Sequence, residues 1–191
     1  MGRGVGAPGI NMLACRVGAG YLLVMETAVS RHFGEIALTP AGQRVIAGRY
    51  EHEGVPIDLD LSVGEHDRLD ESCIHKVDYR LRFLPELIEA ARERIALDLT
   101  DEDSPAVEYR HFHCENLSDG KLQELFGVES ADAVDDDHFV RALRLTRVGI
   151  FPGQPERYFV LDFTLGQGFT DEVLVAAADE DGVVDDEVAW D

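Results

Sequence analysis

Five residues near the C-terminal end of the chain could do chemistry together: Asp162, Thr164, Thr170, Asp171 and Glu172 flank the segment Gly166-Gln167-Gly168. Carboxylates and hydroxyls on facing strands are oxygen donors of the kind that hold a hard cation or orient a polar ligand. Across Arg157 to Leu165, Phe159, Leu161, Phe163 and Leu165 alternate with Tyr158, Val160, Asp162 and Thr164, so the first set reads as core and the second as the opposite face. A three-residue hairpin loop over Gly166-Gln167-Gly168 pairs Leu165 with Phe169, Leu161 with Val173 and Phe159 with Val175. That register sets Thr164 opposite Thr170 and Asp162 opposite Glu172. A two-residue loop moves the pairing by one and sets Asp162 against Asp171, at the expense of placing Glu172 against Leu161. In both registers Asp162 faces a carboxylate, which destabilises a strand pair by about 0.2 to 1 kcal/mol unless something relieves it. Arg144 or Arg147 on the preceding strand is the expected relief, by charge pairing. The five residues are thus a candidate cation or ligand site. The simpler account is two splayed, solvated carboxylates, because exposed charges interact weakly.

Other constellations lose their chemistry when placed on secondary structure. His111-Phe112-His113-Cys114 holds good zinc ligands, but on a helix residues two apart point about 200° from each other. His113 then sits by the apolar stripe and His111 faces solvent, so no metal is expected. Gly4-Val5-Gly6-Ala7-Pro8-Gly9 satisfies GxGxxG, yet no strand precedes it and Pro8 removes an amide from the would-be phosphate cradle. No cofactor is expected. Asp179-Glu180-Asp181-Gly182 brings its glycine at the fourth position, where a calcium loop needs it at the sixth; an Asp-Gly hairpin turn explains it better. The chain has no Gly-x-Ser-x-Gly elbow, and Cys73 falls on an apolar helix stripe where a thiol is inert. No catalytic group is expected.

The elements that position these residues follow from hydrophobic period. Val55, Ile57, Leu59 and Leu61 alternate with polar residues, marking a half-buried strand, and Gln43 to His52 pairs with it across Gly54 as a hairpin. His32 to Leu38 adds a third strand. Leu69, Cys73, Val77, Leu81 and Leu84 lie on one helical face, predicting a helix from about Asp67 to Phe83. Pro85 then opens a second helix with Leu87, Ile88, Ala91 and Ile95 as its stripe, the pair forming a hairpin or one kinked helix. Ser104-Pro105 is an N-cap followed by proline at the first helical position. Lys121 to Phe126, ended by Gly127, and Asp135 to Val140 are short helices. Runs at Leu143 to Phe151, Arg157 to Leu165, Phe169 to Ala178 and Val183 to Trp190, separated by turn residues, predict a four-strand antiparallel meander.

The fold class is therefore α+β, with an N-terminal hairpin or three short strands, central helices and the C-terminal meander. Residues 1–24 read as a poorly structured extension, with translation beginning in effect at Met25, and residues 25–191 as one domain. Gly4 to Ala14 is too broken by glycine, Pro8 and Asn11 for a secretory h-region.

Acidic side chains number 38 against 17 basic ones, a formal charge of −21. Such a surface repels phosphate backbones and anionic lipid, which argues against nucleic-acid and membrane partners and leaves a basic protein or a cation. Three cysteines without CxxC spacing, Cys15, Cys73 and Cys114, point to a reducing compartment, the cytoplasm.

Taken in order, His32-Phe33-Gly34-Glu35-Ile36, Val148-Gly149-Ile150-Phe151-Pro152, Leu161-Asp162-Phe163-Thr164 and Thr170-Asp171-Glu172-Val173-Leu174-Val175 resemble a bacterial domain family of unknown function. The resemblance runs from Met25 onward and implies a compact α+β fold whose sheet is completed by the C-terminal strands; it implies no activity. The functional expectation is a small protein-interaction module whose acidic face binds a basic partner, a toxin-neutralising immunity protein being one concrete form. The alternatives are a metal-dependent or carboxylate-based hydrolase using Asp162, Asp171 and Glu172, and an accessory domain without independent activity.

Overall fold

A computed structural model describes residues 11–17, 21–38, 42–65, 67–166 and 169–191. The glycine-rich run Gly4 to Gly9, and Gln167 with Gly168 of the expected hairpin loop, lie outside the described residues.

The class is α+β. Two sheets form, one of three strands in the order β1 (Asn11–Val17), β2 (Tyr21–Ser30) and β3 (Gly34–Ala37), the other of six. The six run β4 (Arg44–His52), β5 (Val55–Val63), β6 (Arg144–Ile150), β7 (Phe159–Thr164), β8 (Leu174–Ala178) and β9 (Val184–Trp190), in chain order across the sheet. Between β5 and β6 lie five α-helices: α1 (Glu71–Arg80), α2 (Leu84–Asp98), α3 (Pro105–Asn116), α4 (Asp119–Phe126) and α5 (Asp136–Ala142).

Local chemistry accounts for most boundaries. Glu53 and Gly54, with φ of 52° and 80°, make the two-residue turn joining β4 to β5. Asp70 caps α1 by accepting from the Cys73 amide, and a single 3₁₀ turn, Leu81–Phe83, leads into α2 at Pro85. The one periodic stripe is thus a helix pair joined by a tight turn. Ser104 caps α3 through the Val107 amide, and Gly127, at φ 73°, closes α4. Inward-facing Leu59, Leu61, Val148, Ile150, Leu161, Phe163, Ala176 and Val188 share one buried cluster with Ile74, Val77, Leu84, Ile88, Ala91 and Ile95 of the helices.

Strands β6 to β9 are consecutive antiparallel neighbours, as the meander requires. The meander does not stand alone, because β6 also pairs with β5 in parallel, Leu59 beside Val148 and Leu61 beside Ile150. Parallel pairing demands a long crossover, and the helical stretch supplies it. The expected third strand at His32 to Leu38 belongs elsewhere: β3 pairs with β2, Ala28 opposite Ile36. The turn at Arg31 to Phe33, with Gly34 at φ 70°, folds it back on its own predecessor. The two sheets meet where the Arg49 amide donates to the His32 carbonyl at 3.3 Å and Phe33 lies over Gly48, so close that a Cβ there would be 2.5 Å from the ring.

Residues 11–17 and 21–24, expected as poorly structured, are paired strands, with Leu13 opposite Met25 and Cys15 opposite Leu23. Backbone amides and carbonyls make that ladder, so it can form where the side chains show no alternation.

Candidate functional site

The five candidate residues do not converge. Asp162 pairs across the sheet with Val175 on β8 and with Arg147 on β6, and faces neither Glu172 nor Asp171. The connection from β7 to β8 is much longer than a hairpin loop, since β8 begins only at Leu174. Asp171 and Glu172 are left in the loop, and Glu172 precedes Val175, the residue opposite Asp162, by three positions. Asp162 therefore falls in one group and Thr164, Thr170 and Glu172 in another, while Asp171 stands exposed in the loop.

On the face of the sheet turned away from the helical core, Asp58, Asp60, Arg147 and Asp162 are brought side by side by the β5–β6–β7 register. Arg147 Nε donates to Asp60 Oδ2 at 2.6 Å and its Nη1 to Asp162 Oδ2 at 2.8 Å. Asp162 is only 8% exposed, so its carboxylate rests on this bond. Of the two arginines expected to relieve it, Arg147 does so. Both carboxylates raise the Arg147 pKa, Asp60 foremost, keeping the guanidinium charged. A cation at Asp162 would have to displace a fixed cation already there.

On the other side, under the loop, Tyr109 and His113 of α3 meet Glu172 and Trp190. Tyr109 donates its hydroxyl to the Glu172 carbonyl at 3.2 Å, and Trp190 Nε1 donates to Glu172 Oε2 at 3.0 Å. The Glu172 amide donates to Thr170 Oγ1, and the Gly166 amide to Thr164 Oγ1. His113 Nε2 comes within 3.4 Å of Glu172 Oε2 but makes no hydrogen bond among the described residues. Its ring centroid lies 4.2 Å from that of Tyr109, the two planes tilted by 58°. Burial pushes the His113 pKa down, against the pull of Glu172, and holds the imidazole neutral.

A carboxylate beside an imidazole is the usual means of orienting a general base, yet the Tyr109 hydroxyl donates to the Glu172 carbonyl, and burial raises its pKa, keeping the phenol protonated. The arrangement pins the 169–173 segment onto α3 and β9. Sequence reasoning placed His113 correctly near the apolar stripe and His111 in solvent, but had no signal for the His113–Glu172–Trp190 contact, which joins three distant segments. Among the described residues no group of three or more His, Cys, Asp or Glu side chains is placed to hold a metal ion. Neither is any helix there long and apolar enough to cross a membrane.

The chain matches no family model, no curated protein and no solved structure.

Proposed function

We propose that the protein is an interaction module that docks a basic protein partner along the β9 edge of its larger sheet, an immunity-type inhibitor being one concrete form. The observation that carries the proposal is the placement of Asp185, Asp186 and Glu187: all three are exposed on the terminal strand of the six. An edge strand offers unpaired amides and carbonyls as well as side chains, so a basic extended segment can add hydrogen bonds to charge attraction. The nearby Glu180 and Asp181 are already paired with Lys76 and Arg80 of α1, whereas among the described residues no basic side chain pairs with the β9 carboxylates. Electrostatic steering of this sort raises association rates at low ionic strength and fades with salt.

The test is affinity capture from the native host at low and moderate salt, with the wild-type chain beside a variant carrying Asp185→Lys and Glu187→Lys. A basic protein retained by the wild type at low salt, released at moderate salt and lost from the variant is the expected result. Identical capture by both chains overturns the assignment to β9.

A further inference from the structure

We propose that a cleft between the β4–β5 turn, α2 and the start of β6 binds a small organic anion, a carboxylate with an apolar chain or ring, through Arg92 and Arg144. The cleft has a volume of about 390 Å³, on the order of a dozen water volumes in the liquid and within the range of small-molecule pockets. Val55, Ile57, Ile88 and Leu145 supply its apolar lining, and the two arginines, with His52 and Glu53, its polar groups.

The charge arrangement points to the ligand. Arg92 is held in place by neutral groups alone, its Nη1 donating to the Val140 carbonyl and its Nη2 to the Leu143 carbonyl, each at 2.9 Å. Its guanidinium lies 5.6 Å from the Phe163 ring centroid. Two of five N–H donors are used, so a fixed, partly buried cation keeps donors to spare. The side chain of Arg144, next in the chain to Leu143, makes no hydrogen bond or ion pair among the described residues and is exposed. Carboxylates outnumber basic side chains 38 to 17 in this chain, and still, among the described residues, neither arginine is paired with one. Glu53 is the single carboxylate on the lining, held at the hairpin tip by its left-handed backbone, φ 52°.

Arg144 also borders a second cavity of about 460 Å³, whose lining is mixed: Val55, Leu145 and Phe169 beside Arg49, Asp58 and Thr146. Apolar lining with arginine at the rim is complementary to an amphipathic carboxylate: the fork of a guanidinium matches a carboxylate in two parallel hydrogen bonds, and the apolar body leaves water.

Titration of the full chain with sodium octanoate, followed by methyl NMR and by calorimetry, tests the proposal, with 1-octanol as the uncharged control. Expected are saturable shifts at Val55, Ile57, Ile88 and Leu145, weak or no response to octanol, and a loss of affinity of about tenfold or more in Arg144→Gln, the scale of a charge-assisted hydrogen bond. No saturable shift at those methyls with octanoate overturns it, as does octanol binding equal to octanoate on the wild type. Undiminished octanoate affinity in a folded Arg144→Gln overturns it as well. The β9 variant described above should bind octanoate like the wild type, which separates this site from the partner surface.

Discussion

Arg147 holds Asp162 at 2.8 Å across the β6–β7 pair while its Nε holds Asp60 at 2.6 Å across β5–β6. One guanidinium therefore pairs with two carboxylates from the strands on either side of its own, and the three strands are tied on the face opposite the core.

Removing that cation should cost more than an ordinary surface pair. Arg147→Met leaves Asp162, 8% exposed, without a partner; breaking a fully buried pair costs about 3 to 5 kcal/mol, and the 43% exposure of the Arg147 side chain discounts this to about 2 kcal/mol. Asp162→Asn in the same background should return part of the loss. Urea denaturation midpoints measure both, and a change below about 0.5 kcal/mol for Arg147→Met, the scatter of neutral surface substitutions, would mean the carboxylate is not dependent on its arginine.

His113 couples stability to acid. Its folded pKa lies below the unfolded value of 6.5 because burial penalises the imidazolium, so the unfolded chain takes up the proton first. The stabilisation is fully present above pH 6.5 and declines as the pH falls from there through the lower, folded pKa. His113→Phe should flatten that part of the stability curve, measured as melting temperature against pH. An unchanged slope in the variant would assign the acid sensitivity to the carboxylates.

Gly48→Ala should loosen the contact between the two sheets. The new Cβ would fall 2.5 Å from the Phe33 ring and 2.8 Å from the His32 carbonyl oxygen, and the second of these is backbone, which a rotamer change cannot relieve. Overpacking of this kind costs about 1 to 3 kcal/mol. Hydrogen exchange should show the Arg49 amide, bonded to His32, losing protection before amides in β7 and β8; equal protection in both chains would count against the Gly48 contact as the lock.

The cysteine thiols of the helices should resist modification. Burial pushes both Cys73 and Cys114 up from the usual thiol value, leaving little thiolate at neutral pH. In a Cys15→Ser background, Ellman's reagent should react slowly with the native chain and release two thiols on denaturation; rapid native reaction at either position would contradict the burial.

What was legible in the sequence is what local chemistry determines. Ser104-Pro105 identified the start of α3, Gly127 the end of α4, and the alternation from Val55 marked β5, because a cap, a left-handed residue and a period of two act within a few residues. The β7–β8 register failed for the opposite reason. Gly166-Gln167-Gly168 has the composition of a hairpin loop, but Tyr109 and Trp190, contributed by α3 and β9, take hold of Glu172 in the segment before β8, whose pairing with β7 begins only at Leu174. Arg147 and Arg144 were interchangeable as partners of Asp162 until the β6–β7 register set Arg147 opposite Asp162 and Arg144 opposite Thr164. His113 could be placed on a helix face from its spacing, whereas its carboxylate neighbour could not.

The parallel seam between β5 and β6 has a bearing on how the molecule assembles. Asp60 and Arg147 are 87 positions apart in the chain, whereas the β4–β5 hairpin and the β6–β9 meander each form from neighbours. Closing a loop of that length forfeits entropy before any contact compensates, and such non-local pairing slows folding. The two half-sheets can therefore be made early, but they join only when the intervening helices have packed. Interruption of the chain anywhere between α1 and α5 would leave both halves present and the seam unsewn.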